Sequence, residues 1–204
     1  MRQQALEQLR EQPPTSGAPL LLTAGTRLPR TGTVWSPCPV DIEPARAEHW
    51  PGIWPIIRDV TVAGDAYPYP TDLDEEAGRA IWSEQPPGLT VVAVDADGTV
   101  LGTAKMGPNR TGPGAHVSTA SFMVAAAARG RGVGRALGEY ALVWARDQGY
   151  RSMQFNAVVE TNTVAVKLWQ DLGFDIVGTV PEAFRHPTQG YVGLHLMFQR
   201  LVHD

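Results

Sequence analysis

The chain has 204 residues, with 17 Lys and Arg against 21 Asp and Glu, for a formal charge of −4. At 43% hydrophobic and 19% charged residues it has the composition of a globular protein with a sizeable core, which excludes a disordered chain. The acidic balance speaks against a nucleic-acid partner, which needs clustered cations, and the single cysteine, Cys38, excludes an internal disulfide or a cysteine-based metal site.

Residues 1–39 read as a partly flexible N-terminal extension: a short polar helix, the linker QPPTSGAP, and strand-like LLLTAGT broken by prolines. MRQQALEQLREQ lacks the apolar centre of a secretory signal, and no apolar run approaches a membrane span. A cytoplasmic location and no membrane partner are therefore expected. A single domain is expected over 40–204. VDIEPA alternates as a first strand, and 45–63 is helical but interrupted by Pro51 and Pro55, which predicts a broken helix. The turn-rich loop GDAYPYPTD precedes a helix from about Leu73 to Glu84, capped by Thr71 or Asp72. LTVVAVD and TVLGTAKM form a hairpin through Asp95-Ala96-Asp97-Gly98, and AHVSTASFMV is a third long strand.

From Gly132, apolar residues recur at Val133, Ala136, Leu137, Tyr140, Ala141 and Trp144, the stripe of an amphipathic helix, which stops at Gly149. A strand over 150–158 and a helix from Thr161 to Leu172 follow, then two closing strands, FDIVGTV and GYVGLHLMFQRL. The order β-α-α-β-β-β-α-β-α-β-β describes a mixed α/β domain without the alternation of a doubly wound sheet.

The richest segment is Ala128-Arg129-Gly130-Arg131-Gly132-Val133-Gly134-Arg135, between a strand and the best helix. A helix start offers unpaired N–H groups and the positive end of the dipole, and glycines let an anion approach them. The spacing excludes GxxxxGK[ST], because no lysine follows, and excludes GxGxxG, because the sixth position from Gly130 is Arg135. The pattern Arg-x-x-Gly-x-Gly resembles motif A of the GNAT superfamily of N-acetyltransferases. Downstream, Asn162-Thr163-Val164-Ala165-Val166-Lys167-Leu168-Trp169-Gln170-Asp171-Leu172-Gly173-Phe174 resembles that family's motif B, with Trp169 where tyrosine is usual.

The resemblance implies a mostly antiparallel mixed sheet of about six or seven strands, splayed at the coenzyme A site and flanked by helices. It implies acetyl-CoA as co-substrate, no metal, and direct attack by a primary amine of a small molecule or peptide. Phe122, Met123 and Val124 would pair with the pantetheine amides, and Arg129, Gly130, Arg131, Gly132, Val133, Gly134 and Arg135 would cradle the pyrophosphate. Asn162 would bond the pantetheine arm, or cap its helix, or both. A family glutamate falls at Ser118 here, so the base is sought in His116, on the same strand, or Glu160 at the end of the next. Asp65, Tyr67 and Tyr69 of the aromatic loop are the acceptor candidates. Association of two chains through the C-terminal strands is left open.

Two other readings exist. A GNAT fold that binds acyl-CoA without turnover would also explain Trp169 and the missing carboxylate. The run Val91–Val100, with Asp95 and Asp97, matches the nucleophile strand of haloacid-dehalogenase-type phosphatases, although a hairpin turn accounts for the same residues.

Overall fold

Alternating strands and turn chemistry lay down a sheet from residue 40 onward. The computed structural model describes residues 40–202; the helix, linker and strand expected in 1–39, and Cys38, lie outside the described residues. Its strands are β1 (Asp41–Pro44), β2 (Leu89–Val94), β3 (Val100–Pro108), β4 (Val117–Val124), β5 (Ser152–Val159), β6 (Asp175–His186) and β7 (Gly190–Arg200). They form one sheet in the order β1-β2-β3-β4-β5-β7-β6, antiparallel at every junction except β4–β5, which is parallel. This is the mixed, mostly antiparallel sheet expected from the sequence.

Among the described residues four α-helices cover its two faces: α1 (Trp50–Ala63), α2 (Glu75–Trp82), α3 (Val133–Asp147) and α4 (Thr163–Asp171). Because side chains alternate along a strand, each strand feeds two cores. On one face Trp50, Ile53 and Ile57 of α1 and Trp82 of α2 bury against Val92, Val94 and Met123. On the other, Leu137 and Ala141 of α3 and Trp169 of α4 bury against Val91, Ala104, Met106, Met153 and Phe155. Each such large side chain contributes about 1.5–3 kcal/mol on burial. No helix among the described residues is long and apolar enough to cross a membrane.

Several boundaries differ from the sequence expectation. α1 is continuous: Pro51 lies in the first turn, where its missing N–H has no intrahelical partner to lose, and the helix runs on through Pro55. α2 starts later, capped by Asp74, whose carboxylate accepts from the Ala77 N–H at 2.8 Å, and it ends at Trp82. The β2–β3 turn is closed by Asp95, whose carboxylate accepts from the N–H groups of Asp97 and Thr99 at 3.1 and 3.0 Å. The antiparallel hairpin leaves no strand-to-helix nucleophile turn there, which removes the phosphatase reading. β6 continues six residues past Val180, because its register shifts between Val180 and Phe184 and absorbs Pro181 and the positive-φ Glu182.

Trp82 pins the C-terminal end of α2 to the sheet. Its indole N–H donates to Thr103 Oγ1 at 2.9 Å inside the core, and that hydroxyl donates to the Val91 carbonyl at 2.8 Å. α3 and α4 approach closely at Gly138, where a Cβ would stand 2.7 Å from Leu172 and 3.0 Å from Trp169. That contact brings α4 against the strands that form the site.

Candidate active site

β4 and β5 are neighbours for only two residue pairs, Val117 with Ser152 and Ser118 with Met153. Beyond them the strands splay. β5 stays with β7 and carries a bulge between Phe155 and Val158, while β4 stays with β3 through Val124. Asn109 N–H bonds Val117 O and Ala125 N–H bonds Leu101 O, so the odd-numbered peptides of β4 face β3. By alternation the peptides of Ala120, Phe122 and Val124 face the gap. A cleft of about 200 Å³ lies along it.

The C-terminal end of β4 leads through a short 3-10 turn (Ala126–Ala128) into α3. Gly130 and Gly132 have φ of 74° and 84°, left-handed values at which a Cβ is strained. A Cβ there would meet no described atom within 4 Å, so the turn presents bare backbone outward. Gly132 is the N-cap of α3 with no side-chain cap among the described residues, and the first helical bond of the turn runs from Ala136 N–H to Gly132 O. The N–H groups of Gly132, Val133, Gly134 and Arg135 thus lack intrahelical acceptors at the positive end of the dipole. Gly134 stands beside Val124 and Leu168, its would-be Cβ 3.8 and 3.5 Å from their methyls, so the cradle opens directly onto the β4 edge. These features fit a pyrophosphate with an extended amide-bearing arm behind it.

The walls of the gap differ. On the α3–α4 side Phe122, Phe155, Trp169 and Phe174 form a ring cluster, Trp169 lying 4.7 Å from Phe122 and 5.0 Å from Phe155. On the α1–α2 side β4 and β5 present Thr119, Ser121 and Asn156. The Asn156 amide is fixed at both ends: Nδ2 donates to Asn109 Oδ1 at 2.7 Å, and Oδ1 accepts from Gln154 Nε2 at 2.8 Å. Above them stack Tyr67 and Tyr69, 5.5 Å apart and nearly parallel. Burial raises both hydroxyl pKa values. For Tyr67 the hydrogen bond with Phe122 partly offsets it; for Tyr69 the nearby Glu84 charge adds to it and a bond with Ser121 opposes it. Among the described residues no charged side chain lines the cleft.

The residues singled out from the sequence divide accordingly. Phe122, Tyr67, Tyr69 and Asn162 line the cleft, and Val124 adjoins it. Asn162 also caps α4, accepting from Ala165 N–H at 3.2 Å. Val133 is buried beneath the turn, while Arg129 and Arg131 are exposed around it. Arg135 is drawn along the helix surface toward Glu139 at 3.7 Å and Asp171 at 3.5 Å. Met123 faces away, its peptide toward β3 and its side chain in the α1–α2 core, so it is Ala120, Phe122 and Val124 that turn their peptides to the gap.

His116 is exposed before β4, at the closed end of the gap, its Nδ1 3.0 Å from the Pro113 carbonyl. Glu160 turns its carboxylate to the Gly193 N–H and its own N–H to the Gly193 carbonyl, fastening β5 to β7. The structure brings neither to the cleft, and Asp65 is exposed outside it. Ser118 is buried and donates to the Ser152 carbonyl at 3.1 Å. Thr119, Ser121 and Asn156 were not anticipated; Gln154 and Asn156, two apart on one strand, were the available signal.

The candidate site is thus a splay in the sheet beside a glycine-turned helix start with no side-chain cap among the described residues. The description "Acetyltransferase (GNAT) family" matches this chain over residues 50–174, and the chain belongs to that family. It is similar to the GCN5-related N-acetyltransferase from Kribbella flavida, at 60% identity and a TM-score of 0.77 over 79% of this chain and 98% of that one. A phosphinothricin acetyltransferase from Sinorhizobium meliloti, solved in complex with AcCoA, shares the fold at 23% identity and a TM-score of 0.72, over 79% of this chain and 88% of that one. N-acetyltransferase aca1 of Schizosaccharomyces pombe is 32% identical over 111 residues, 54% of this chain and 53% of the relative, so the match spans about half of that protein's length.

Proposed function

We propose that this chain is an acetyl-CoA-dependent N-acetyltransferase that acts on a primary amine of a small molecule or peptide, the amine attacking the thioester directly. The observation that carries the reading is one continuous path: the bare N–H groups of Gly132–Arg135, then Val124, then the gap-facing peptide of Phe122, with the aromatic wall on one side and the polar wall on the other. The turn holds the pyrophosphate, Val124 and Phe122 pair with the arm, and Asn162 supports it from α4. Ser121, Asn156 and the two tyrosines place the acceptor.

The uncharged lining sets the proton chemistry. Tyr67 and Tyr69, held above the ordinary tyrosine value, are neutral donors near pH 7 rather than bases. An indole N–H such as that of Trp169 donates a hydrogen bond but no proton. The acceptor therefore loses its proton to water before attack, and kcat/KM rises with pH through the acceptor's own pKa. Two amines of different pKa give shifted profiles; one common inflection for both would assign the proton to a protein base instead.

Calorimetric titration with acetyl-CoA tests the donor site, with a double variant Gly132→Asp and Gly134→Asp beside the unaltered chain. Binding weakens by roughly a hundredfold or more in the variant, from the lost charge-assisted hydrogen bonds and the added negative charge. No binding to the unaltered chain contradicts the reading. Binding without CoA release across a panel of amines leaves the non-catalytic alternative.

A further inference from the structure

The open edge of β4 has an occupant at one point. Strand N–H and C=O groups removed from water need partners, and at Phe122 both are satisfied by one side chain. The Phe122 N–H donates to the Tyr67 hydroxyl oxygen at 2.9 Å, and the Tyr67 hydroxyl donates to the Phe122 carbonyl at 2.7 Å. Tyr67 reaches the strand from the loop between α1 and α2, stacked on Tyr69 and edge-on to the buried Trp82, ring centroids 6.4 Å apart. One hydroxyl thus does for Phe122 what a neighbouring β-strand would do, at a place where β5 has already diverged.

We infer that Tyr67 is a positioning residue of the donor site, whose hydroxyl occupies the gap-facing peptide of Phe122 and is displaced from it when acyl-CoA binds. The inference rests on the donor reading above, since Phe122 N–H and C=O are the groups that reading assigns to the arm. The N–H has one hydrogen and cannot serve the hydroxyl and a ligand carbonyl at full strength together. The stack carries the displacement to Tyr69, on the acceptor wall, so filling the donor site re-forms the surface that meets the amine.

Tyr67→Phe keeps the ring and its stacking and removes both hydrogen bonds. Its acetyl-CoA Kd is expected to fall roughly tenfold, since the ligand no longer competes with the hydroxyl. Without ligand the variant melts below the unaltered protein, its Phe122 peptide being left without a partner; at saturating acetyl-CoA the two melting temperatures converge. A merely structural tyrosine would leave the Kd unchanged and the melting gap intact, and that result overturns the inference. A weaker Kd, or an equal Kd with lower kcat, overturns it too, by making the hydroxyl a fixed part of the bound site. If the variant fails to fold, a crystal structure of the unaltered protein with acetyl-CoA decides: Tyr67 Oη beyond hydrogen-bond reach of Phe122 supports displacement, and retention of both bonds refutes it. Absence of acetyl-CoA binding by the unaltered protein would instead remove the donor reading and this inference with it.

Discussion

On the α3–α4 side of the gap, Phe122, Phe155, Trp169 and Phe174 lie ring against ring at 4.2 to 6.3 Å. On the α1–α2 side the same two strands present Thr119, Ser121 and Asn156, with Tyr67 and Tyr69 overhead. Both walls come from one device, the two-residue alternation of a strand, which turns Phe122 one way and Ser121 the other. The apolar wall is continuous with a core and resists change. The polar wall consists of side chains that can donate and accept hydrogen bonds. The splay lets both meet in one gap, so a donor and an acceptor can be recognised by different chemistry a few ångströms apart.

The aromatic wall is the more sensitive of the two. Trp169→Ala removes the ring that bridges Phe122, Phe155 and Phe174, and is expected to cost about 3–5 kcal/mol of stability in denaturant unfolding. A loss below about 1 kcal/mol would mean that the wall is not one packed unit. On the polar side, Asn156→Ala is expected to raise the acceptor KM roughly tenfold while the acetyl-CoA Kd stays unchanged, the loss of one or two net hydrogen bonds. Steady-state kinetics beside calorimetry separates the two; an equal loss in donor affinity would place Asn156 on the donor side. The smallest effect is alkaline. Tyr67 holds its proton more tightly in the folded state than in the unfolded chain, so its contribution to stability is full below about pH 10, the unperturbed tyrosine value, and is lost as the pH rises beyond it. Melting temperatures between pH 8 and 11 should decline less steeply in Tyr67→Phe, and equal slopes would show that Tyr67 makes no difference there.

What could be read in advance follows from how local each feature is. The turn at Gly130–Gly134 and the helix after it are a contiguous stretch whose glycines and apolar stripe act on their neighbours, so both elements were legible in the sequence. Asn162 was legible for the same reason, three residues from the N–H it caps. The sheet was legible in its strands and its hairpin but not in its full extent, because the bulge at Glu182 hides six residues of β6 behind a proline. His116 and Glu160 stand out in the sequence by residue type and strand position. Their surroundings depend on register: one lies where β4 and β5 have not yet parted, and the other is held by a glycine 33 residues away. The bond from Tyr67 to Phe122 spans 55 residues, and no local pattern announces it.

In the proposed reading the donor lies along the gap-facing edge of β4 and on the first turn of α3. Hydrogen exchange of the full chain, with and without saturating acetyl-CoA, tests it most directly. Slowed exchange centred on the amides of 120, 122, 124 and 132–135, with the α4 start at 162–165 following, is the result predicted. Protection centred elsewhere, or none despite measured binding, would contradict it.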